Sequence, residues 1–210
     1  MRIVVIGATG AIGSAVVAAL ERKHQVVRAS RHGAARVDIT DSTSVRALFT
    51  SLKGIDAIIC CAGEARLGEI ATLTDSDVDV SVRSKLVGQI NVVRHGLPSL
   101  APNGSITLTS SLLARRPMRG GAASAMVDAA IESFVRTAAL ETPRGIRINA
   151  VSPGWVKETM RKMGLDPSRG MAAADVARTY VGVLEGTMNG ETIEPRGARS
   201  TEAYLQQARG

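Results

Sequence analysis

The sequence predicts an α/β protein with a doubly wound parallel sheet of about seven strands and helices on both faces. Two observations lead to this fold. Short apolar runs typical of buried strands alternate with longer segments that carry apolar residues at helical spacing. No internal repeat or low-complexity linker interrupts this alternation over the 210 residues. Because such alternation favours a parallel sheet covered on both faces, we expect one domain over residues 1–210.

The strands are predicted from short apolar runs, in chain order. Asn103-Gly104 marks a turn before the fifth run, and an SPGW loop follows the sixth. The predicted strands are Arg2–Ile6, Gln25–Ala29, Ala35–Val37, Asp56–Cys60, Ser105–Ser110, Ile146–Val151 and Glu191–Glu194.

Helices are predicted between these strands from apolar residues three and four apart. Asp41 or Ser42 can cap the second helix with its side-chain oxygen. The third helix is the longest and has Val82, Leu86 and Ile90 at helical spacing. The predicted helices cover approximately Ala11–Lys23, Ser42–Leu52, Asp75–His95, Ala122–Leu140 and Ala172–Leu184.

Three glycines lie where the first strand passes into the first helix, at positions Gly7, Gly10 and Gly13. Glycine permits a positive φ angle and lets a ligand approach the backbone closely. The helix that follows offers unpaired N–H groups and the positive end of its dipole, which suit a pyrophosphate. The turn therefore predicts a pyrophosphate site between the first strand and the first helix.

Composition argues against a membrane span, since no uninterrupted apolar run approaches about 18 residues. Arg2 precedes an apolar stretch as in a signal peptide, but glycines and polar residues inside that stretch argue against one. Cys60 and Cys61 are neighbours in a predicted strand and point to opposite faces, so neither a disulfide nor a metal pair is expected. We expect a reduced, cytoplasmic protein without a metal site.

The net charge of +7 raises the question of nucleic-acid binding. The arginines are scattered rather than gathered in one block, and only five aromatic residues are available for base stacking. We therefore expect no nucleic-acid partner. A phosphate-rich cofactor or an anionic substrate accounts for local positive charge more simply.

Five stretches resemble the short-chain dehydrogenase/reductase family and occur in the family's order: GATGAIG, VDIT, CCAG where the family usually has NNAG, GSITLTSS, and GIRINAVSPG. The resemblance covers essentially the whole chain and implies an oxidoreductase with a nicotinamide cofactor. Ala11 stands where a typical member has a further glycine, as in the family's extended or atypical branches.

The resemblance implies cofactor contacts within and beyond the glycine turn. Asp38 and Ile39 match the pair that holds the adenine, although Asp38 can also be a turn or cap aspartate ahead of Thr40. The CCAG stretch is expected beside the adenine-linked ribose, and its cysteines can also be simply small core residues. The further cofactor residues that the resemblance implies are Thr9, Ala11 and Ile12 within the glycine turn, and Cys61, Ala62, Gly63, Pro153 and Gly154 beyond it.

The end of the second strand distinguishes NAD(H) from NADP(H). Folds that use NAD place an Asp or Glu there, about 20 residues beyond the glycines, to bind the ribose 2′-hydroxyl. This chain reads RASRHG, in which Ser30 and Arg31 offer a hydroxyl and a guanidinium for a 2′-phosphate. NADP(H) is therefore predicted. The alternative is that Arg31 is a solvated surface residue.

The catalytic positions depart from the family pattern. Ser111 matches the family's substrate-orienting serine, but Ser124 and Asp128 stand where the family has its tyrosine and lysine. A serine hydroxyl does not ionise near neutral pH, and an aspartate in place of the lysine inverts the local charge. The two tyrosines of the chain, Tyr180 and Tyr204, match no catalytic position, and Tyr180 is most simply part of a helix face.

Another position also carries a residue that differs from the family pattern. Lys85, three residues before Gly88, stands where the family has an asparagine. In the family the two exchanged positions are neighbours beneath the nicotinamide ribose. We therefore expect Lys85 and Asp128 to lie within salt-bridge or single-water distance, with one of them at the ribose hydroxyls, since either charge alone would be costly there. The alternative is that Lys85 extends into solvent.

Two functional classes stay open. The first is an NADP(H)-dependent oxidoreductase that acts on an unknown carbonyl or alcohol, with Ser111 and Lys85 as catalytic residues. The second is a catalytically silent NADP(H)-binding sensor or scaffold. Three arginines near the expected active site either face an anionic substrate or are solvated at the surface: Arg115, Arg116 and Arg119.

The helix predicted at Ala122–Leu140 is apolar around most of its circumference. A surface helix of this kind usually buries a second face. Because family members commonly pair this helix and the preceding long one across a two-fold axis, we expect a homodimer or homotetramer.

Overall fold

The structure is a computed structural model that describes residues 1–196. Its strands are β1 (Arg2–Ile6), β2 (Gln25–Ser30), β3 (Ala35–Arg36), β4 (Ile55–Cys60), β5 (Leu100–Thr109), β6 (Arg147–Val151) and β7 (Thr192–Ile193). They form one seven-stranded sheet in the order β3-β2-β1-β4-β5-β6-β7, and every neighbouring pair is parallel. The predicted doubly wound parallel sheet is confirmed.

The helices that flank this sheet are α1 (Ala11–Leu20), α2 (Ser42–Ser51), α3 (Asp75–Ser81), α4 (Gly88–Gly96), α5 (Ala122–Ala138), α6 (Lys157–Lys162) and α7 (Ala173–Glu185). A π-helical turn over Val82–Val87 joins α3 directly to α4, so these two helices together form the long helix predicted from the sequence.

Side chains of the central strands alternate between the two faces of the sheet. In β1, Val4 and Ile6 belong to a core cluster with residues of α2, α4 and α5. Ile3 and Val5 belong to a second cluster with residues of α1 and α7. All four side chains are buried, as expected for a strand of a parallel sheet that is covered on both faces.

Side-chain caps fix the starts of two helices beside the sheet. Asp41 caps α2, and its carboxylate accepts a hydrogen bond from the backbone N–H of Thr43 at 2.8 Å. Thr74 and Asp77 form a reciprocal capping box at the start of α3. Of the two capping residues that the sequence offered for α2, the structure uses Asp41.

Some element boundaries differ from the sequence prediction. α1 ends at Leu20 rather than Lys23, because the polar residues that follow form an exposed turn. β5 begins at Leu100, ahead of its predicted start, since a positive φ of 61° at Asn103 lets the strand continue through the turn. α5 ends early, at Ala138. The short α6 was not predicted, because six residues give too little periodicity to detect.

No helix within residues 1–196 is both long enough and apolar enough to cross a membrane. Tyr204 and the part of the predicted domain that follows residue 196 lie outside the described residues.

Candidate functional site

Two adjoining cavities open at the carboxyl ends of the strands, where the strand order reverses between β1 and β4. The first cavity has a volume of 490 Å³ and is lined by the glycine turn after β1. The second has a volume of 560 Å³ and is lined by residues that follow β5 and β6. Glu64 lines both cavities, which therefore form one cleft.

The predicted site residues fall into this cleft with two exceptions. Those that line the first cavity are Gly7, Thr9, Gly10, Ser30, Arg31, Asp38, Ile39, Cys61, Ala62 and Gly63. Those that line the second are Ile12, Lys85, Ser111, Pro153 and Gly154. Ala11 and Gly13 line neither cavity and lie in the first turn of α1. Motifs that are far apart in the chain therefore meet in one place.

The glycine turn is packed so tightly that two of its positions exclude a side chain. Gly7 has a φ of +81°, and a Cβ atom there would lie 2.8 Å from the backbone nitrogen of Ala62. A Cβ atom on Gly13 would lie 2.0 Å from the carbonyl oxygen of Gly7. Gly10 precedes α1 without a side-chain cap, so the first N–H groups of the helix remain available to an anion. The turn therefore fits a pyrophosphate.

Basic side chains and the carboxylate of Asp38 lie at the far end of the first cavity. Arg31 lines this cavity and also a neighbouring recess, together with His32 and Arg36. Asp38 accepts hydrogen bonds from the hydroxyl and the backbone N–H of Thr40, at 2.7 and 2.9 Å. These bonds, the one from the hydroxyl above all, hold the pKa of Asp38 below its ordinary value. Asp38 therefore stabilises a turn with Thr40, which is the alternative given for it in the sequence, and it lines the first cavity as well.

The two cysteines at the end of β4 have thiol groups of low reactivity. Cys60 is fully buried, and this burial raises the pKa of its thiol to about 12. The thiol of Cys61 is buried beside Thr109 and Tyr180, and burial is the main cause that raises its pKa as well. Both cysteines are free, and both are thiols rather than thiolates near neutral pH.

A fully buried carboxylate, Asp128 of α5, lies behind the wall of the second cavity. Its Oδ2 accepts hydrogen bonds from the Oγ of Ser111 at 2.6 Å and from the Oγ of Ser124 at 3.0 Å. Its Oδ1 lies 3.5 Å from the Nζ of Lys85 and has no hydrogen-bond donor among the described residues. The predicted approach of Lys85 to Asp128 is confirmed.

Lys85 reaches Asp128 from the π-helical turn. Such turns carry an extra residue per turn and are frequent at functional sites. Gly63 lies opposite with a φ of +135°, and a Cβ atom there would lie 3.0 Å from the Cδ of Lys85. The missing side chain at Gly63 therefore leaves room for the lysine stem. Because the Lys85 side chain is only 13% exposed, the alternative that it extends into solvent is wrong.

The sequence analysis missed a second buried carboxylate, Glu132, one helical turn after Asp128. Its Oε1 accepts hydrogen bonds from the hydroxyls of Ser110 and Ser152, at 3.0 and 3.1 Å. Its Oε2 lies 3.3 Å from the Nε of Arg115. The signal that could have found it is the spacing of four residues, which places both acids on the same face of an otherwise apolar helix.

Tyr180 is part of a face of α7, as predicted, and this face is fully buried. Its hydroxyl lies 2.7 Å from the Oγ1 of Thr109, which also donates to the carbonyl of Cys60 at 2.6 Å. Burial raises the pKa of Tyr180 well above its ordinary value. Tyr180 lines neither cavity, and its hydroxyl ties α7 to the ends of β4 and β5.

The three arginines of loop 112–121 are each paired with a carboxylate. Arg115 and Arg116 both contact Glu194, at 3.4 and 2.9 Å. The Nε of Arg119 lies 2.9 Å from the Oε1 of Glu69. Of the three arginines, Arg116 alone lines the second cavity. The loop thus presents one guanidinium group, already paired, to the cleft.

Comparison with known proteins agrees with this architecture. A family model described as enoyl-(acyl carrier protein) reductase matches residues 4–188. Oxidoreductase UcpA of Escherichia coli (strain K12) is 32% identical over 141 residues, which cover 63% of this chain and 54% of that protein. Glucose and ribitol dehydrogenase homolog 2 of Arabidopsis thaliana is 27% identical over 150 residues, which cover 65% and 52%. The matched part spans about half the length of these curated relatives.

Two solved structures resemble the chain along nearly its whole length. The protein lin1944 from Listeria innocua has a TM-score of 0.87 and 38% sequence identity, with 93% of this chain and 100% of that chain covered. A small-chain dehydrogenase solved in complex with NADPH has a TM-score of 0.84 and 29% identity, with 92% and 95% covered. The sheet order, the glycine turn and the extent of the family match therefore lead to one assignment: the chain belongs to the short-chain dehydrogenase/reductase family.

Proposed function

We propose that the protein is an NADP(H)-dependent oxidoreductase that interconverts a carbonyl compound and an alcohol. The observation that carries this proposal is the cleft, in which the glycine turn adjoins a cavity that has Ser111 and Lys85 in its wall and Asp128 behind them. A bound nicotinamide would supply or accept the hydride. The residues of the chain then have to orient the substrate and handle one proton.

The end of β2 favours NADP(H) over NAD(H). Ser30 and Arg31 line the first cavity at the place where an NAD-dependent fold has an acid. The planar guanidinium of Arg31 suits bidentate contact with a 2′-phosphate. The small-chain dehydrogenase solved with NADPH, 29% identical to this chain, supports the same cofactor. Asp38 and Ile39 are the residues that would hold the adenine.

Ser111 and Asp128 offer a route for the proton. The Ser111 hydroxyl donates to Asp128 at 2.6 Å, and its oxygen accepts a long bond of 3.3 Å from the backbone N–H of Leu113, which leaves one lone pair to accept a hydrogen bond from a substrate hydroxyl. In alcohol oxidation the substrate proton passes to Ser111 while the Ser111 proton passes to Asp128, and the hydride leaves the carbinol carbon. Carbonyl reduction is the reverse. The Asp128 carboxylate thereby takes the part that the tyrosine has in the family.

Lys85 balances the charge of Asp128 and also faces the ligand. A lone carboxylate that is fully buried would be costly, and the ammonium 3.5 Å away offsets that cost. Lys85, unlike Asp128, lines the second cavity. An ammonium has three N–H donors, so Lys85 can keep the ion pair and still donate to another oxygen. We therefore assign to Lys85, of the two, the contact with the nicotinamide ribose hydroxyls.

Two measurements test the proposed function. Titration by fluorescence is expected to give binding of NADPH about tenfold or more tighter than NADH, the difference of one charge-assisted contact. NADPH oxidation is then followed with a panel of ketones and aldehydes. Ser111→Ala is expected to slow turnover by about 100-fold and to leave NADPH binding unchanged.

Tight NADPH binding without turnover of any compound would contradict the enzyme and favour a silent NADP(H)-binding sensor or scaffold. Equal affinities for NADPH and NADH would contradict the role given to Arg31.

We also propose a homodimer or homotetramer that forms through α5 and the long helix before it. Met126 on α5 is 48% exposed, and Val87 in the π-helical turn is 41% exposed. Ala122 and Ala129 on α5 are exposed as well, so the outer face of this helix is apolar over its N-terminal half, whereas the exposed residues of its C-terminal half are polar. Light scattering at micromolar concentration is expected to give the mass of a dimer or tetramer, and the mass of a monomer would contradict this proposal.

A further inference from the structure

The cations of the second cavity are all neutralised by the protein itself. Within the described residues, the cationic side chains that line this cavity are Arg66, Lys85 and Arg116. Their carboxylate partners, at 3.0, 3.5 and 2.9 Å respectively, are Glu64, Asp128 and Glu194. As far as residues 1–196 form the cavity wall, it therefore offers no cation that still lacks a counter-charge.

Glu194 holds two arginines at once. Its Oε2 accepts a hydrogen bond from the Nη2 of Arg116 at 2.9 Å, and its Oε1 lies 3.4 Å from the Nη1 of Arg115. Arg115 is held from its other side by the buried Glu132. A substrate carboxylate that used the remaining N–H groups of Arg116 would lie beside the Glu194 carboxylate and be repelled by its charge, and one that displaced Glu194 would exchange one carboxylate–guanidinium contact for an equivalent one. Such an exchange contributes little to affinity.

The remainder of the wall is predominantly apolar. Its large apolar side chains are Leu67, Leu113, Met118, Trp155 and Met163. The volume of 560 Å³ falls within the range of about 300–1,000 Å³ that is usual for small-molecule sites. A wall of this composition binds an uncharged apolar body, and the hydroxyl of Ser111 provides one polar contact for it.

We propose that the substrate is an uncharged, largely apolar carbonyl compound or alcohol, and that Glu194 sets this preference by occupying Arg116. The inference rests on the proposed function, because it takes the second cavity as the substrate site. It departs from the anionic substrate, which is one of the two alternatives that the sequence leaves open for the arginines of the loop. Glu194 is thus a specificity-determining residue that itself lies outside the cavity wall.

The test measures ligand binding without turnover. Trp155 is the only tryptophan of the chain and lines the second cavity, so quenching of its fluorescence reports occupancy. The probes are methyl-ketone carboxylates of graded chain length and their isosteric primary amides, added to protein saturated with NADP⁺. The wild-type protein is expected to bind the amides about tenfold more tightly than the carboxylates.

Two variants make the test specific to Glu194. Glu194→Gln keeps the shape of the side chain but frees Arg116, so the preference for amides is expected to fall by about tenfold, the effect of one charge-assisted contact. Glu69→Gln is the matched control, because it frees Arg119, which does not line the second cavity. This control is expected to leave the preference unchanged. Unfolding curves of both variants show whether each one is folded.

A wild-type preference for carboxylates would overturn the inference, as would an unchanged preference in Glu194→Gln or the absence of quenching by every amide. Selective quenching by amides without any NADPH oxidation would refute the proposed oxidoreductase and leave the ligand preference standing. The two proposals therefore fail in distinguishable ways.

Discussion

The glycine turn and the cluster around Asp128 lie in the same cleft but are held together by different means. In the turn, backbone atoms pack so closely that a Cβ atom on Gly13 would lie 2.0 Å from a carbonyl oxygen. In the cluster, side chains meet around a fully buried carboxylate, and opposite charges lie 3.5 Å apart. The first region depends on the absence of side chains, and the second depends on their charges.

This difference explains which region can vary in sequence. A position that admits no Cβ atom admits no residue other than glycine. A buried ion pair needs one cation and one anion, and the pair of Lys85 and Asp128 meets this need with a lysine on the long helix and an acid on α5. The cluster can therefore change its residues while its total charge is kept, which the turn cannot do.

The largest effect is expected for Gly13→Ala. The new Cβ atom would overlap the carbonyl of Gly7, so the turn has to move and the free energy of unfolding is expected to fall by about 4 kcal/mol. Gly182→Ala is the control, since Gly182 is an exposed α7 residue where a Cβ atom would meet no other atom within 4 Å, and it should stabilise by about 0.5–1 kcal/mol. Urea unfolding measures both. Similar changes in the two variants would contradict the crowding at Gly13.

The next largest effect is expected for Asp128→Ala, which leaves the ammonium of Lys85 without its partner. The free energy of unfolding is expected to fall by about 3 kcal/mol. The double variant Asp128→Ala with Lys85→Ala should restore part of this loss, with a coupling of about 1–2 kcal/mol. Urea unfolding of the four proteins gives the coupling. Ser133→Ala, on the exposed face of the same helix, should stay within about 0.5 kcal/mol of the wild type.

If the double variant is instead the sum of the single variants, the two charges act independently and the comparison with the turn loses its basis.

A smaller effect is expected where the first cavity meets the cofactor's 2′-phosphate. Arg31→Ala should weaken NADPH binding by about tenfold and leave NADH binding nearly unchanged, because one charge-assisted contact is lost. Arg28→Ala is the matched control: Arg28 lies on β2, the strand that Arg31 follows, and is paired with Glu21, away from both cavities. Fluorescence titration measures the affinities. Equal losses for NADPH and NADH would contradict the assignment.

The smallest effect concerns the thiols beside the turn. Because the pKa of Cys60 is raised to about 12 and that of Cys61 is also raised, the thiolate fraction at pH 8 is far below that of an ordinary cysteine. Alkylation of the native protein should be slow, and its rate should still rise with pH above 10. Denatured protein should react at the ordinary rate. A native rate that levels off near pH 9 would contradict the buried state of the thiols.

The sequence was sufficient to predict the fold, because alternating apolar runs and helices leave few arrangements other than a doubly wound sheet. Its errors lie where spacing carries no information. The π-helical turn at Val82–Val87 adds one residue to a helical turn. The apolar residues on either side of it still recur at helical spacing, so the sequence pattern does not reveal it. The short α6 has too few residues to show a period.

For the site, the sequence was informative where a motif fixes the backbone and where charges compensate each other. It predicted the turn from three glycines and the approach of Lys85 to Asp128 from a double exchange. It did not predict the contact of Glu132 with Arg115 or the pairing of Arg116 with Glu194, because these contacts join residues of separate elements that no local pattern connects.

β1 pairs with β2 along one of its edges and with β4 along the other. Both partners follow β1 in the chain, and β4 begins about 50 residues after β1 ends. Closing such a long loop costs conformational entropy before any contact compensates for it, so this docking step is expected to limit the folding rate. Until β4 docks, one edge of β1 is open to other chains. Refolding yield should therefore fall as protein concentration rises, whatever the stability of the folded molecule.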